Sequence, residues 1–182
     1  HKYSRGTSYI VAGNDLIGAS KLAALASCQS ALRVGAGLTK IFISKKNQDA
    51  YKQHILEEMI IPYENQKDLY TIISHTKITS LIFGCGINVN LESLKLLEFL
   101  LDQPINIVLD ASVFSLIKKN IILFFEILSK RTATTIMTPH KGEFNRIFKT
   151  TQNKIQDCLN ASKQTNSIIL YKGNDTVIGS PD

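Results

Sequence analysis

The chain alternates short β-rich runs with longer helical patterns along most of its 182 residues. Several short runs are continuously apolar, which is typical of strands covered by helices on both faces. The alternation predicts an α/β fold with a doubly wound, mostly parallel sheet, right-handed crossovers and helices on both faces. The predicted strands are 8–12, 39–44, 57–61, 80–83, 105–109, 135–137, 167–171 and 176–179. The predicted helices are 18–34, 66–74, 91–101, 121–130, 143–148 and 153–164.

Length and composition favour one domain over several. A chain of 182 residues with 44% hydrophobic content can bury one sizeable core, so residues 1–182 are predicted to form a single domain. Cys28 is predicted to be a small core residue of the first helix, which Gly35 ends. Four apolar residues of this helix recur near the helical period: Leu22, Leu25, Ala26 and Leu32.

Charge and cysteine content exclude several classes of partner. The formal net charge of +6 comes from lysines scattered along the chain, without a basic stripe interleaved with aromatic residues, so no nucleic-acid partner is predicted. No apolar run approaches the ~20 residues that span a bilayer, and the first residues carry no secretory signal, so no membrane partner is expected. Three cysteines without CxxC spacing indicate reduced thiols and predict a cytoplasmic protein.

Glycines and polar residues follow the predicted strands at their carboxyl ends. Gly13-Asn14-Asp15 follows the first strand, Gly84-Cys85-Gly86 a middle strand, Asp110 another, and residues 138–143 the next. In open α/β sheets, ligands bind beyond the carboxyl ends of the strands. The shared location predicts one ligand site built from these segments. For the glycine pair a tight turn is the alternative, since GxG is a common sequence.

The segment Thr138-Pro139-His140-Lys141-Gly142-Glu143 joins a strand to a helix and concentrates groups that bind ligands. The proline fixes the turn, the glycine permits close backbone approach, and a histidine and a carboxylate stand three residues apart. His140 is either a ligand-contacting group or a turn histidine bonded to nearby backbone. Glu143 is either a first-turn helix carboxylate or a group that helps to bind Mg²⁺, directly or through water.

The segment Lys172-Gly173-Asn174-Asp175-Thr176 lies between the last two predicted strands. An ordinary hairpin turn is one interpretation of it. Binding of phosphate groups is the other, because a lysine beside a threonine hydroxyl suits phosphate oxygens and hairpin turns rarely need the lysine.

In this order, these segments resemble the ADP- or ATP-dependent NAD(P)H-hydrate dehydratases, which are members of the ribokinase-like superfamily. The N-terminal part contributes residues 5–19, a strand that ends in Gly13-Asn14-Asp15 and is followed by Gly18-Ala19 at the start of an alanine-rich helix. The Thr-Pro-His-x-Gly-Glu and Lys-Gly-x-x-Thr patterns of the family are matched completely. The resemblance covers nearly the whole chain.

The resemblance implies a metabolite-repair lyase. ADP or ATP, with Mg²⁺, would phosphorylate the 6-hydroxyl of hydrated NADH or NADPH, and loss of phosphate would restore NAD(P)H. Ala19, Gly86 and His140 would contact the hydrated dinucleotide, and Glu143 is the candidate for a magnesium role. The implied nucleotide-binding residues are Lys172, Gly173, Asn174, Asp175 and Thr176. A homo-oligomer and an upstream epimerase domain are further implications.

The chain departs from the family pattern in three places. Gly84-Cys85-Gly86-Ile87-Asn88 stands where the family has Gly-Pro-Gly-Leu-Gly, and Ser112 replaces the second acid of Leu-Asp-Ala-Asp. Asp110 is left as a candidate to position substrate or a cation. The family's Gly-x-Gly-Asp segment, which supplies an anion hole and the catalytic base, does not occur up to Asp182. The expectation is a domain incomplete at its C-terminus, with the catalytic aspartate beyond Asp182, an uncovered apolar sheet surface and no activity in these residues alone.

Two alternative functions are open at this point. A related ribokinase-like kinase for a small hydroxymethyl or hydroxyethyl heterocycle shares the architecture, although the two complete motifs favour the dehydratase. A non-catalytic remnant that binds nucleotides or assembles with partners is the other. The sequence leaves open whether ADP or ATP is the donor.

Overall fold

The computed structural model describes residues 2–52 and 59–182. The chain divides into two compact units, residues 1–88 and residues 89–182, and each unit contributes four β-strands with helices packed on them. The single domain inferred from chain length stays a prediction.

The first unit contains four strands in the order β3-β2-β1-β4. All their pairings are parallel, with Thr7 opposite Leu38 at the start of one ladder and Ser8 opposite Ser80 at the start of another. The strands are β1 (Thr7–Val11), β2 (Leu38–Ser44), β3 (Met59–Tyr63) and β4 (Ser80–Phe83). Of the predicted strand 57–61, positions 57 and 58 lie outside the described residues. The central place of β1 confirms a doubly wound arrangement, because the chain crosses from β3 back to β4 on the other side of β1.

The helices of the first unit include two long ones that the sequence predicted and one short one that it did not. They are α1 (Ile17–Arg33), α2 (Gln48–Lys52) and α3 (Gln66–Ser74), with 3₁₀ turns at Lys2–Arg5 and Lys45–Asn47. Helix α3 begins after Asn65, whose side chain accepts a hydrogen bond from the Asp68 amide (3.1 Å). The short α2 was missed because five residues carry too little periodicity to predict a helix.

The most buried residues of helix α1 are small. They are Ser20, Ala24 and Cys28, and the last two pack in one core cluster with Ile10 of β1 and Ile41 of β2. Leu22, one of the residues that repeat at the helical period, is 71% exposed. The repeat therefore predicted the helix but does not coincide with its most buried face, since Leu25 and Leu32 are only partly buried. Cys28 as a core residue and the stop at Gly35 (φ +103°) are both confirmed.

The second unit contains four strands in the order β5-β6-β7-β8. The pairs β5–β6 and β6–β7 are parallel, and β7–β8 is antiparallel, with Tyr171 opposite Val177 next to the turn. The strands are β5 (Asn106–Leu109), β6 (Thr135–Met137), β7 (Ile168–Tyr171) and β8 (Val177–Gly179). All four lie within the predicted strands and confirm them.

Asparagine begins two helices of the second unit, and a histidine begins a third. The side chains of Asn90 and Asn153 accept hydrogen bonds from the amides of Ser93 (2.9 Å) and Gln156 (3.0 Å). The helices are α4 (Leu91–Asp102), α5 (Val113–Leu116), α6 (Ile121–Lys130), α7 (Lys141–Ile147) and α8 (Lys154–Thr165), with a 3₁₀ turn at Ile117–Asn120. Helix α7 begins two residues before the predicted position because His140 caps it; α5 was not predicted.

The two faces of the second sheet differ in burial. Tyr171 is buried and stacks on Phe144 of α7 with the ring centroids 4.1 Å apart. On the opposite face, Val108, Ile136 and Ile168 lie in register and are only partly buried. Along these strands, apolar residues therefore alternate between buried and partly buried positions. Among the described residues, no helix is long and apolar enough to cross a membrane.

Candidate functional site

Three neighbouring parallel strands of the second unit end at one edge, and each is followed by a polar segment. Asp110 follows β5, and the Thr138 amide donates to the Leu109 carbonyl (3.1 Å) at the end of the same strand. The Lys172 amide donates to the Pro139 carbonyl (2.9 Å), so the parallel pairing of β6 and β7 continues as far as His140 and Lys172. The structure thus brings three of the segments that the sequence singled out to the same edge of this sheet.

His140 is fixed by the helix that it begins. Its Nδ1 accepts hydrogen bonds from the amides of Gly142 (2.9 Å) and Glu143 (3.4 Å). Because Nδ1 acts as an acceptor, the proton of the neutral ring lies on Nε2. The side chain is 56% exposed, so an oriented N–H donor stands at the surface of the site. His140 is therefore both a helix cap bonded to nearby backbone and a group able to meet a ligand.

Glu143 completes the cap from the other side. Its Oε2 accepts a hydrogen bond from the His140 amide (2.9 Å), and its Oε1 lies 3.4 Å from His140 Nε2. The residue is 7% exposed. This reciprocal arrangement is a capping box in which histidine takes the place of serine or threonine. Since both carboxylate oxygens face His140, the geometry supports the helix interpretation of Glu143, and its role toward magnesium stays a prediction.

The structure explains why the motif has glycine two residues after the histidine. A Cβ atom at position 142 would lie 2.9 Å from His140 Cε1, too close for the ring to stay where it is. Any side chain there would push the imidazole off the backbone amides that it caps. Gly142 therefore serves the placement of His140, which the sequence alone did not indicate.

Asp110 and Lys172 form an ion pair at the strand ends. Lys172 Nζ lies 2.9 Å from Asp110 Oδ1, and both side chains are partly buried. The following residue, Ala111, has φ of +54°, a left-handed conformation that costs a non-glycine residue roughly 1–2 kcal/mol. Asp110, which the sequence offered as a candidate to position substrate or a cation, is thus the direct partner of the lysine in the predicted nucleotide segment.

Residues 172–176 form the turn between the antiparallel strands β7 and β8, and Lys154 of α8 bonds to this turn. Thr176 Oγ1 donates to the Gly173 carbonyl (3.3 Å). Lys154 at the start of α8 donates to the main-chain carbonyl and to the carboxylate of Asp175, with Nζ 3.0 Å from Oδ1. This hydrogen bond from Lys154 lowers the pKa of Asp175 below its usual range. Sequence reasoning missed Lys154, because no local pattern links a helix N-terminus to a turn 21 residues away.

In the first unit, the backbones of Gly13 and Gly86, two glycines of the predicted ligand site, pack against each other. The Asp15 amide donates to the Gly86 carbonyl (3.2 Å), and the Gly13 amide donates to Ser20 Oγ (2.6 Å). A Cβ atom at Gly13 would lie 2.0 Å from the Gly86 carbonyl oxygen, and Gly86 itself has φ of +68°. Ala19 is exposed in the first turn of α1. The contacts of Ala19 and Gly86 with substrate stay predictions.

The described residues contain no group of three or more histidine, cysteine, aspartate or glutamate side chains placed to hold a metal ion. Two ion pairs lie near the ends of β5, β6 and β7: Lys172 with Asp110, and Lys154 with Asp175.

Comparison with known proteins assigns a family to this arrangement. The sequence profile of a protein family described as NAD(P)H-hydrate dehydratase matches residues 8–182. The chain is 28% identical to the ADP-dependent (S)-NAD(P)H-hydrate dehydratase of Lactococcus lactis, with 100% of this chain and 64% of that protein covered.

Two crystal structures share the fold. A ribokinase-like superfamily protein of Enterococcus faecalis superposes with a TM-score of 0.79 at 21% identity, covering 99% of this chain and 62% of that one. The ADP/ATP-dependent NAD(P)H-hydrate dehydratase of Bacillus subtilis, co-crystallised with ATP/Mg²⁺, gives 0.73 at 23% identity, covering 100% and 63%. The fold is therefore ribokinase-like. The chain spans just under two-thirds of the length of these relatives.

Proposed function

The chain belongs to the NAD(P)H-hydrate dehydratase family, and from that premise we propose that it carries ligand sites of an ADP- or ATP-dependent enzyme that restores NADH and NADPH from their hydrates. One observation carries the proposal: the second unit presents an oriented histidine donor and a lysine turn at adjacent strand ends. These are the two segments in which the chain matches the family motifs completely.

The lysine turn is proposed as the nucleotide site. Its backbone is fixed by the pairing of β7 with β8 and by Lys154, so its polar groups are ordered before a ligand arrives. Lys172 supplies the positive charge, and its ammonium is held at the edge by Asp110 (2.9 Å). A phosphate oxygen would replace this carboxylate as the partner of Lys172, because charge-assisted hydrogen bonds to phosphate are strong. Gly173, Asn174, Asp175 and Thr176 are assigned to the same ligand.

Mg²⁺ bound to the phosphates of the nucleotide would fit at the carboxyl ends of β5, β6 and β7. Asp110 is a partly buried carboxylate next to the phosphate-binding lysine, which matches the few protein oxygens that Mg²⁺ takes in nucleotide sites. When bound, the ion neutralises charge on the phosphoryl group being transferred. Among the residues described, Asp110 would hold it, and Glu143 would do so only through water, since both its oxygens face His140.

His140 is proposed to position the hydrated dinucleotide. Its Nδ1 is occupied by backbone amides and its Nε2 lies 3.4 Å from Glu143 Oε1, so an acceptor on the substrate would take the place of that oxygen as the partner of Nε2–H. The proposed reaction moves one phosphoryl group from ADP or ATP to the 6-hydroxyl of the hydrated ring. The C6–O bond then breaks with the phosphate leaving, the ring nitrogen supplies electrons, and a proton lost from the neighbouring carbon restores the double bond. The chain's own residues contribute binding, orientation and charge, which dominate phosphoryl transfer.

The direct test incubates the full-length protein with hydrated NADH and with ADP or ATP and follows the return of NADH absorbance. Recovery of NADH that depends on added nucleotide is expected. No recovery with either nucleotide, although both bind, would leave the non-catalytic nucleotide-binding alternative in place of the dehydratase.

Substitution of His140 by asparagine separates its ligand role from its capping role. Asparagine keeps an acceptor for the helix amides and removes the Nε2–H donor. We expect His140→Asn to weaken binding of the hydrated dinucleotide by about 1–3 kcal/mol, the value of one lost hydrogen bond, and to leave ADP binding nearly unchanged. Calorimetric titration of both ligands measures this. Equal loss of both would show that His140 serves structure alone.

A further inference from the structure

Lys154 lies at a place that neither the sequence motifs nor the proposed reaction explains. It is the first residue of α8, directly after the cap Asn153, and its side chain is 24% exposed. Its ammonium bonds both the carbonyl and the carboxylate of Asp175 and lies 4.7 Å from the centre of the Tyr171 ring. The turn is shaped around it: a Cβ atom at Gly173 would lie 2.7 Å from Lys154 Nζ. The glycine of the Lys-Gly-x-x-Thr segment therefore leaves room for this ammonium.

The charge of the turn explains why such a contact is needed. Asp175 is a carboxylate whose side chain is 80% exposed, within a segment that the proposed function assigns to phosphates. A free carboxylate there would repel an anionic ligand, because like charges at short range oppose each other even at the surface. Lys172, at the other end of the turn, already has its charge paired with Asp110. The described contacts thus supply Asp175 with one counter-ion, and that ion is Lys154.

We propose that Lys154 is a positioning residue for the nucleotide turn: it fixes the turn through the Asp175 carbonyl and neutralises the Asp175 carboxylate, so that residues 172–176 can accept a nucleoside di- or triphosphate. The inference rests on the proposed nucleotide site. Lys154 acts through Asp175 and through the space beside Gly173.

Removal of the ammonium tests the proposal. In Lys154→Met, Asp175 loses its counter-ion while the apolar stem of the side chain remains on Tyr171. ADP binding, measured by calorimetry on the full-length protein, should weaken about three- to tenfold. Lys154→Arg should restore most of the affinity, since arginine can pair with a carboxylate and stack on a ring. Lys163→Met, on an exposed position of the same helix, is the matched control and should bind like the wild type.

Asp175→Asn separates neutralisation from a purely structural role. If Lys154 acts by cancelling the charge of Asp175, adding Lys154→Met to Asp175→Asn should have less than half of the effect on ADP affinity that Lys154→Met has in the wild type, whatever the affinity of Asp175→Asn itself. A full effect of Lys154→Met in the Asp175→Asn background overturns the proposal. Should Lys154→Met fail to fold, Lys154→Gln, which removes the charge and keeps a donor for the Asp175 carbonyl, takes its place in the same comparison.

The outcomes also separate this inference from the function on which it rests. A wild-type chain that binds neither ADP nor ATP saturably contradicts the proposed nucleotide site, and the role of Lys154 falls with it. A wild-type chain that binds ADP, together with a Lys154→Met variant that binds it equally well, contradicts the role of Lys154 alone.

Discussion

The two units build the ends of their parallel strands by different means. In the first unit, Gly13 and Gly86 bring two turns into backbone contact, and a hydrogen bond from the Asp15 amide to the Gly86 carbonyl (3.2 Å) joins them. In the second unit, side-chain interactions hold the strand ends: Asp110 forms an ion pair with Lys172, and His140 forms a capping box with Glu143. The first arrangement depends on close packing, so an added side-chain atom cannot be accommodated. The second depends on separate ion pairs and hydrogen bonds, so a single side chain can be replaced with a smaller loss of stability.

The strongest test of this contrast is Gly13→Ala. Its Cβ atom would lie 2.0 Å from the Gly86 carbonyl oxygen, so the two turns must separate. We expect the free energy of unfolding to fall by about 3 kcal/mol or more, as in severe overpacking. Gly18→Ala is the matched control, since nothing lies within 4 Å of a Cβ atom there, and it should stabilise the helix by roughly 0.5–1 kcal/mol. Denaturant unfolding measures both free energies. If Gly13→Ala were as stable as Gly18→Ala, the close packing of the two turns would not distinguish the first unit from the second.

In the second unit, Glu143→Ala should have a smaller effect. It removes the acceptor of the His140 amide, which costs about 1–2 kcal/mol of stability, the usual range for loss of a helix cap. Lys141→Ala, at an exposed position in the same helical turn, should change stability by less than about 0.5 kcal/mol. Thermal unfolding of the two variants compares them. A Glu143→Ala protein as stable as Lys141→Ala would mean that the capping box contributes nothing.

Asp110→Asn should change stability less again. The ion pair with Lys172 is partly exposed, so its loss should cost under about 1 kcal/mol. The difference between wild type and variant should also shrink as salt is added, because screening weakens the pair in the wild type. Asp15→Asn, an exposed carboxylate at the corresponding place in the first unit, should show no such dependence on salt. Denaturant unfolding at low and high salt gives both values, and a salt-independent Asp110→Asn effect would contradict an electrostatic role.

The reactivities of the three cysteine thiols compare the glycine turn with the cores of the two units, and no substitution is needed. Cys85 lies in the glycine turn of the first unit and is half-buried, whereas Cys28 and Cys158 are buried. Burial raises the pKa of the Cys158 thiol, which keeps it in the unreactive protonated form at neutral pH. Labelling with a thiol reagent followed by mass spectrometry should modify Cys85 about tenfold faster or more than the other two. Equal rates would mean that the cores of the units open as readily as the turn.

The sequence by itself determined the strands, the long helices and the order of the motifs. Runs of apolar residues act within a few residues of themselves, so their consequences are visible locally. The placement of Asp110, residues 138–143 and Lys172 at the ends of β5, β6 and β7 followed from the same alternation, because parallel strands end at one edge.

The tertiary structure alone decided which side chains meet there. Lys172 pairs with Asp110 across 62 residues, and Lys154 reaches Asp175 across 21. Leu22 faces solvent because Ser20, Ala24 and Cys28 fit closer to the sheet, a choice that depends on the opposing surface and that the helical period cannot reveal. Periodicity reports how a segment can fold, whereas ion pairs and close packing depend on distances between segments that only the folded chain sets.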